Sequence, residues 1–274
     1  MSDREAGRSR LADELLQAYD SARRLPLLTA RPGGVTSLAD AYAIADQARR
    51  QRLARGERQL GYKIGFTNRS IWARYGVHAP IWGPVWDRTV AQIEGTRHTV
   101  SLAGLVQPRL EPEIMFGLAR APAAGKGIDE LVGCIEWVAH GCEIVHTHFD
   151  DWRFAAPDTV ADFALHGRLM VGPRVPIAHF ADPQRELAGL HIALRRNGQV
   201  VDEGDGHIVL DGPLDALRTW VDAMEAQVPR WPIEAGHIVS TGTLTDAWPL
   251  TAGERWQTVL SDDRLPGLDL WVEA

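Results

Sequence analysis

From residue 60 onward the chain is written in short β-rich runs that do not alternate regularly with helices. This pattern limits the fold more than any other feature. The runs fall at 61–65, 113–117, 167–171, 190–194, 199–201, 236–240 and 268–272, separated by Gly, Pro and Asp turns. Short runs bounded in this way read as strands. A doubly wound sheet needs strand and helix in alternation and is disfavoured here. The expectation is α+β with a mainly antiparallel or mixed, barrel-like sheet. Asn197-Gly198, between two of the runs, is a hairpin signal.

Before residue 60 the texture is helical. Leu11, Leu15, Tyr19 and Ala22 form one stripe of a helix over 11–24. A loop rich in Pro and Gly follows (26–34). Ser37 with Asp40 three residues on is a capping-box signature for a second helix ending near Arg55, at Gly56. The chain therefore divides into a helical region, 1–59, and a β-rich catalytic domain, 60–274. Later helices are expected at 128–139 and 213–225, the second with Leu214, Leu217 and Val221 on one stripe.

A chain of 274 residues with 45% hydrophobic and 24% charged residues builds an ordinary globular core. Its net charge of −7 argues against nucleic acid and anionic membranes as partners. The expectation is a cytoplasmic protein, with no signal core and no stretch long enough to span a bilayer. Two cysteines, Cys134 and Cys142, are too few for a disulfide framework. No Gly-x-Gly-x-x-Gly follows a strand, no P-loop is present, and no Gly-x-Ser-x-Gly elbow appears.

The chemistry concentrates in acids beside apolar runs. Glu111 and Glu113 are two apart, so in a strand they share a face. Two such carboxylates repel unless a shared proton or a divalent cation neutralises them. Glu143 heads another apolar patch, and the three together point to a Mg²⁺ or Mn²⁺ site. The alternative is solvated acids on an edge strand, which Pro112 favours. Lys63, between glycines in a β run, is a candidate proton-transfer group or carboxylate binder, or else a surface lysine. His146 and His148 have the spacing of transition-metal ligands, but on a straight strand they face away from Glu143. Asp158 and Asp162 fit helix capping, and Asp162 is also a candidate general base. The hydroxyl-rich 240–245 segment around Gly242 offers N–H and OH donors to an anion.

In order along nearly the whole chain, these segments resemble the hydratase/decarboxylase branch of the fumarylacetoacetate hydrolase superfamily. The resemblance rests on 40–44, on 61–67 with Gly76, Val77 and Gly83, and on the Glu-x-Glu pair. It continues through 142–145, Asp151-Trp152, 158–162, 211–214 and 236–244. It implies a β-rich catalytic domain with helical N-terminal part, assembled as a homo-oligomer, and a small-molecule 2-oxo acid substrate. It makes Glu111, Glu113 and Glu143 the metal ligands and Lys63 the catalytic or substrate-orienting lysine. It sets Thr241, Gly242, Thr243 and Leu244 against the substrate carboxylate.

The departures lie around the third acid. Family members read Glu-Ile-Val-Asp-Ser-Arg where this chain has His146, Thr147 and His148. They carry Asn-Ala-Ser where Phe163, Ala164 and Leu165 stand, with His166 next. An acidic position before Gly83 is Ile81 or Trp82. Polar groups that grip a small acid are exchanged for apolar ones, which implies a larger or more hydrophobic substrate tail lined by Phe163 and Leu165, with Arg153 nearby. The implied reaction is hydration of a 2-hydroxy-dienoate through its 2-oxo-enoate form to a 4-hydroxy-2-oxo acid. Lys63 moves a proton, and Asp162, His146, His148 or His166 places the water. Decarboxylation, C–C bond hydrolysis and a catalytically diverged scaffold are the alternatives.

Overall fold

Two helices precede every strand in the computed structural model, which describes residues 3–274. α1 (Asp3–Ser21) starts and ends earlier than its apolar stripe implies, and it packs on α2 (Leu38–Ala54). Ser37 caps α2, its hydroxyl accepting from the Asp40 N–H at 3.2 Å. Leu15, Leu16, Ala41, Ile44 and Ala48 bury the seam between them.

In chain order there follow β1 (Gln59–Gly65), the one-turn α3 (Trp72–Tyr75), β2 (Ile81–Trp86), β3 (Val90–Gln92), β4 (Arg97–Ser101) and β5 (Arg109–Leu118). Next come α4 (Ile128–Val132), β6 (Ile135–Val145), α5 (Ala156–Ala161), β7 (His166–Val171), β8 (Val175–Pro176) and α6 (Pro183–Ala188). The chain ends with β9 (His191–Arg196), β10 (Gln199–Asp205), α7 (Pro213–Ala226), β11 (Ile238–Thr243), β12 (Trp248–Pro249), β13 (Arg255–Leu260) and β14 (Asp269–Glu273). The helix expected over 128–139 is corrected: α4 stops at Val132, and β6 begins at Ile135. All but one residue of β6 is buried. A strand buried on both faces loses its alternation, so its apolar run looks like a helix segment. Asn197 and Gly198, with φ of 52° and 84°, form the tight turn between β9 and β10 that the dipeptide predicts.

Among the described residues the strands form two sheets. The larger has the order β2-β1-β11-β5-β6-β7-β3, with β12 beside β5 and β8 beside β6; the smaller runs β10-β9-β13-β14-β4. β2 and β3 lie at opposite ends of the larger sheet, yet only residues 87–89 join them. The sheet must therefore curl until its ends meet. At the junction Thr89 C=O accepts from Leu169 N at 2.8 Å. Inside the curl sit Val85, Met115, Leu169, Val171 and Ile238. The smaller sheet covers part of the outer face through Leu110, Cys142, Ile144, Met170 and Trp256. α7 covers another part, packing Leu214, Leu217 and Trp220 near Phe116 and Val239. Each such side chain, fully buried, contributes about 1.5–3 kcal/mol. No described helix is long and apolar enough to cross a membrane.

Candidate metal centre

Strand register brings the three acids together. Glu111 pairs with Glu143 across β5 and β6, and Glu113 lies one step of the same face further on, opposite Gly141. One carboxylate oxygen from each lies within 4.8 Å of the others. Glu113 and Glu143 are fully buried, and Glu111 is half-buried. β5 is a central strand, so these are not solvated edge acids. Pro112 is tolerated there because β11 shifts register between Ser240 and Thr243. That bulge removes a demand for one ladder donor.

Each oxygen has a distinct environment. Glu113 Oε2 accepts from the Ser240 hydroxyl and from Gly242 N at 2.9 Å, while Oε1 is buried with no partner. Glu143 Oε1 meets His166 Nδ1 at 2.9 Å, and Oε2 lies 3.0 Å from Lys63 Nζ. Burial and the neighbouring carboxylates push Glu113 well above the ordinary carboxylate range. Burial, against the pull of Lys63, raises Glu111 to about 7, with Glu143 adding to the rise. Glu143 is raised by burial too, with Lys63 opposing. Burial works to neutralise Lys63, but the carboxylates, Glu143 foremost, outweigh it and hold the ammonium. Three carboxylates against one ammonium leave two uncompensated negative charges, the charge of one divalent cation. A hard, oxygen-seeking cation fits this donor set, and the unpartnered Glu113 oxygen is what such a site leaves open.

Lys63 is fixed by its second contact, donating to Ala164 C=O at 3.2 Å. Phe163, Ala164 and Leu165 all have positive φ, between 52° and 65°. This left-handed turn, unfavourable for side chains of this size, aims a carbonyl inward. Gly83 permits it, since a Cβ there would stand 2.8 Å from Phe163 O.

The centre opens on a cavity of about 220 Å³. Lys63, Glu111, Leu165, Gly242 and Thr243 line it, as expected of site residues. Several expected residues do not. Phe163 is buried against Tyr19, ring centroids 5.1 Å apart, because the left-handed turn rotates it into the helical layer. Leu244 is wholly buried, and the Thr241 hydroxyl donates to Ile114 O at 2.8 Å. Gly242 N–H serves Glu113, so this loop presents the ligand set rather than a free anion nest. Arg153 is exposed and outside the cavity.

The histidines and Asp162 separate in the same way. His148 Nδ1 meets Asp162 Oδ1 at 2.5 Å, and both are buried away from the cavity. Burial disfavours Asp162's charge, but His148, with a smaller pull from His146, outweighs it and holds the carboxyl below the usual range. His146 packs edge-on to Tyr19 of α1, and burial pushes it down to about 3. None of the three reaches the cavity to place a water. His166 does reach the centre, through Glu143. Burial keeps it neutral. The network then assigns Nδ1–H to Glu143 and makes Nε2 the acceptor of the Thr89 hydroxyl at 2.8 Å.

Sequence reasoning missed several cavity residues: Arg74, Tyr75, Arg109 and Phe154. Arg109 was open to inference, being two residues from Glu111 on the same strand face. Arg74 follows a loop whose path no local pattern dictates.

A 2-hydroxyhexa-2,4-dienoate hydratase from Comamonas testosteroni is 33% identical to this chain over 248 residues, covering 90% of each. The chain belongs to the hydratase/decarboxylase branch of the fumarylacetoacetate hydrolase superfamily. A 4-oxalocrotonate decarboxylase from Pseudomonas sp. is 30% identical over 89% of the chain and 91% of that protein. The fold is that of the superfamily: the 4-oxalocrotonate decarboxylase from Pseudomonas putida G7, complexed with magnesium and adipate, superposes with a TM-score of 0.88 at 24% identity, covering 99% of each chain. No family model matches the chain.

Proposed function

We propose that this protein is a Mg²⁺- or Mn²⁺-dependent hydro-lyase that converts a 2-hydroxy-dienoate to a 4-hydroxy-2-oxo acid. The observation that carries the reading is the buried carboxylate trio with Lys63 against it, at the end of a cavity sized for a small acid. Glu111, Glu113 and Glu143 would hold the cation, which would supply Lewis acidity to the negative charge that develops on a bound 2-oxo acid.

The protein's own groups do the rest. Lys63 Nζ, kept protonated by its carboxylates, faces the substrate and handles the proton that moves from the 2-hydroxyl to the terminal carbon as dienol becomes enone. Water then adds across the enone, its oxygen to C4 and a proton to C3. Thr67, Asn68 and Thr243 line the cavity and offer polar groups to orient that water. Ser240 and Gly242 hold Glu113, and His166 holds Glu143, so the ligand oxygens are positioned before substrate arrives. Ile64, Ile71, Ile81 and Leu165 supply an apolar wall that strengthens these electrostatic contacts.

The 30% identity to a decarboxylase favours a second reading, loss of CO₂ from the same substrate class. One experiment separates them. Purified protein with Mg²⁺ or Mn²⁺ is given 2-hydroxy-dienoates, and products are weighed by mass spectrometry. A gain of water supports the hydratase, and a loss of CO₂ replaces it with the decarboxylase. Full turnover by the Glu111→Gln, Glu113→Gln double variant in chelator overturns both.

A further inference from the structure

Asp162 and His148 are buried titratable groups to which the reaction above gives no task. Asp162 follows α5 directly and precedes the left-handed turn at 163–165. The segment after β6 grips its carboxylate: His148 Nδ1 lies at 2.5 Å, His148 N at 3.0 Å and the Thr147 hydroxyl at 3.4 Å. An ionised carboxylate only accepts, so His148 Nδ1 carries the hydrogen.

The same two segments are joined again on the other side of the turn. His146 N–H donates to Leu165 C=O at 2.9 Å, and Leu165 N–H donates back to Asp162 C=O at 2.8 Å. The turn is thus fastened at both ends to 146–148, by a side-chain pair at one end and a backbone bond at the other. Three consecutive non-glycine residues with positive φ persist only where their surroundings over-determine them. Backbone bonds of this kind are open to almost any sequence. The Asp162–His148 contact is the sequence-specific fastening, and it is charge-assisted in a dry interior. His148 Nε2 is buried with no partner. An orphaned nitrogen costs stability, so imidazole is a poor choice if filling space were its task.

The turn carries the Ala164 carbonyl, which accepts from Lys63 Nζ at 3.2 Å. The other partner of Nζ is Glu143 Oε2 at 3.0 Å. An ammonium has three hydrogens. Two are directed by these partners, and tetrahedral geometry then fixes the third, the one left for a molecule in the cavity that Lys63 lines. Without the Ala164 carbonyl, Nζ keeps a single anchor and is free to turn about it.

We propose that Asp162 and His148 are a positioning pair: they lock the left-handed turn, and through the Ala164 carbonyl they aim the Lys63 ammonium at the substrate. This deepens the hydratase reading and rests on its use of Lys63. Neither residue lines the cavity. The line of action runs from His148 to Asp162, along the 163–165 backbone, to Lys63.

The test compares three variants. His148→Asn keeps an N–H donor near the place of Nδ1, and His148→Leu removes it at similar volume. Asp162→Asn keeps an acceptor oxygen without the charge. Each is loaded with Mg²⁺ and given a 2-hydroxy-dienoate. Loss of dienol absorbance reads the tautomerisation that Lys63 serves, apart from hydration. Rates are referred to the metal-binding stoichiometry from calorimetry, so unfolded protein does not count. His148→Leu should lower kcat about tenfold to a hundredfold, as for a catalytic group displaced by about 1 Å, with KM unchanged. His148→Asn should retain most of the rate, and Asp162→Asn should fall between the two. If packing were the only role, Leu would be at least as active per folded molecule as Asn. That result overturns the proposal, as does a loss in KM or metal affinity with kcat intact.

Amide hydrogen exchange in the metal-free protein, read residue by residue by NMR, needs no turnover. It keeps failure of the pair distinct from failure of the hydratase reading. The Leu165 and His146 N–H groups report the turn. Their exchange should quicken about tenfold or more in His148→Leu, with the amides of α7 unchanged. Asp162→Asn should quicken it too, so the proposal is tested even if His148→Leu does not fold. Unchanged exchange at both amides overturns the proposal whatever the activity. Quickened exchange, with wild type tautomerising the dienoate but adding no water to it, supports the pair and removes the hydratase reading alone.

Discussion

Replacing Glu111 by Gln should stabilise the metal-free protein while destroying its metal site. Glu111 titrates at about 7 in the fold, against 4.5 for an ordinary glutamate, mainly because of burial. A folded pKa above the unfolded one means the folded state holds the proton more tightly. The group's favourable contribution is therefore complete below pH 4.5 and gone once pH rises past 7. The rise corresponds to about 3 kcal/mol against the ionised form. Gln carries no charge at any pH and escapes that penalty. In chelator at pH 8, Glu111→Gln should therefore be more stable than wild type by about 3 kcal/mol, roughly 6–12 °C in melting temperature for a chain of this size. The gap should narrow as pH falls through 6 and 5. With Mg²⁺ at about a hundred times its dissociation constant, wild type gains about 2.7 kcal/mol that the variant forgoes, and the advantage disappears. Urea unfolding followed by tryptophan fluorescence, across pH and with or without Mg²⁺, reads all of this. If the variant is no more stable than wild type at pH 8 in chelator, burial does not penalise the Glu111 charge, and the account of the centre fails.

Lys63→Met should lower turnover by about 10²–10⁴-fold while calorimetry still detects a divalent cation, separating proton handling from ligation. His166→Ala frees Glu143 Oε1 from its 2.9 Å contact; divalent affinity should fall about 10- to 100-fold, and unchanged affinity would remove His166 from the site. Gly242→Ala places a Cβ 1.9 Å from Thr67 Oγ1 at a φ of +109°. It should destabilise by about 2 kcal/mol or more in urea titration, and a native midpoint would contradict the close approach of β11 to that threonine.

Local chemistry made much of this legible in advance. Ser37 and Asp40 marked the start of α2 because capping is decided within one turn. Glu111 and Glu113 had to share a face because strand periodicity is two. The short runs divided by turn residues pointed to the sheet. β6 misled because burial on both faces erases the alternation that identifies a strand.

The sequence alone determined which groups were available: three acids beside apolar runs, one glycine-flanked lysine, and two helices at the front of the chain with a further one after Pro213. Tertiary structure decided which of them meet. Register across β5 and β6 set Glu143 opposite Glu111. The left-handed turn at Phe163–Leu165 turned Phe163 away and gave Lys63 its carbonyl. The packing of α1 sealed His146 inside, and Asp162 and His148 were buried with it. Arg74 arrived at the cavity on the one-turn α3. The physical reason is range: caps and periodicity act over a few residues, whereas the site is assembled by contacts between segments scores of residues apart, whose geometry exists only once the sheet has curled shut.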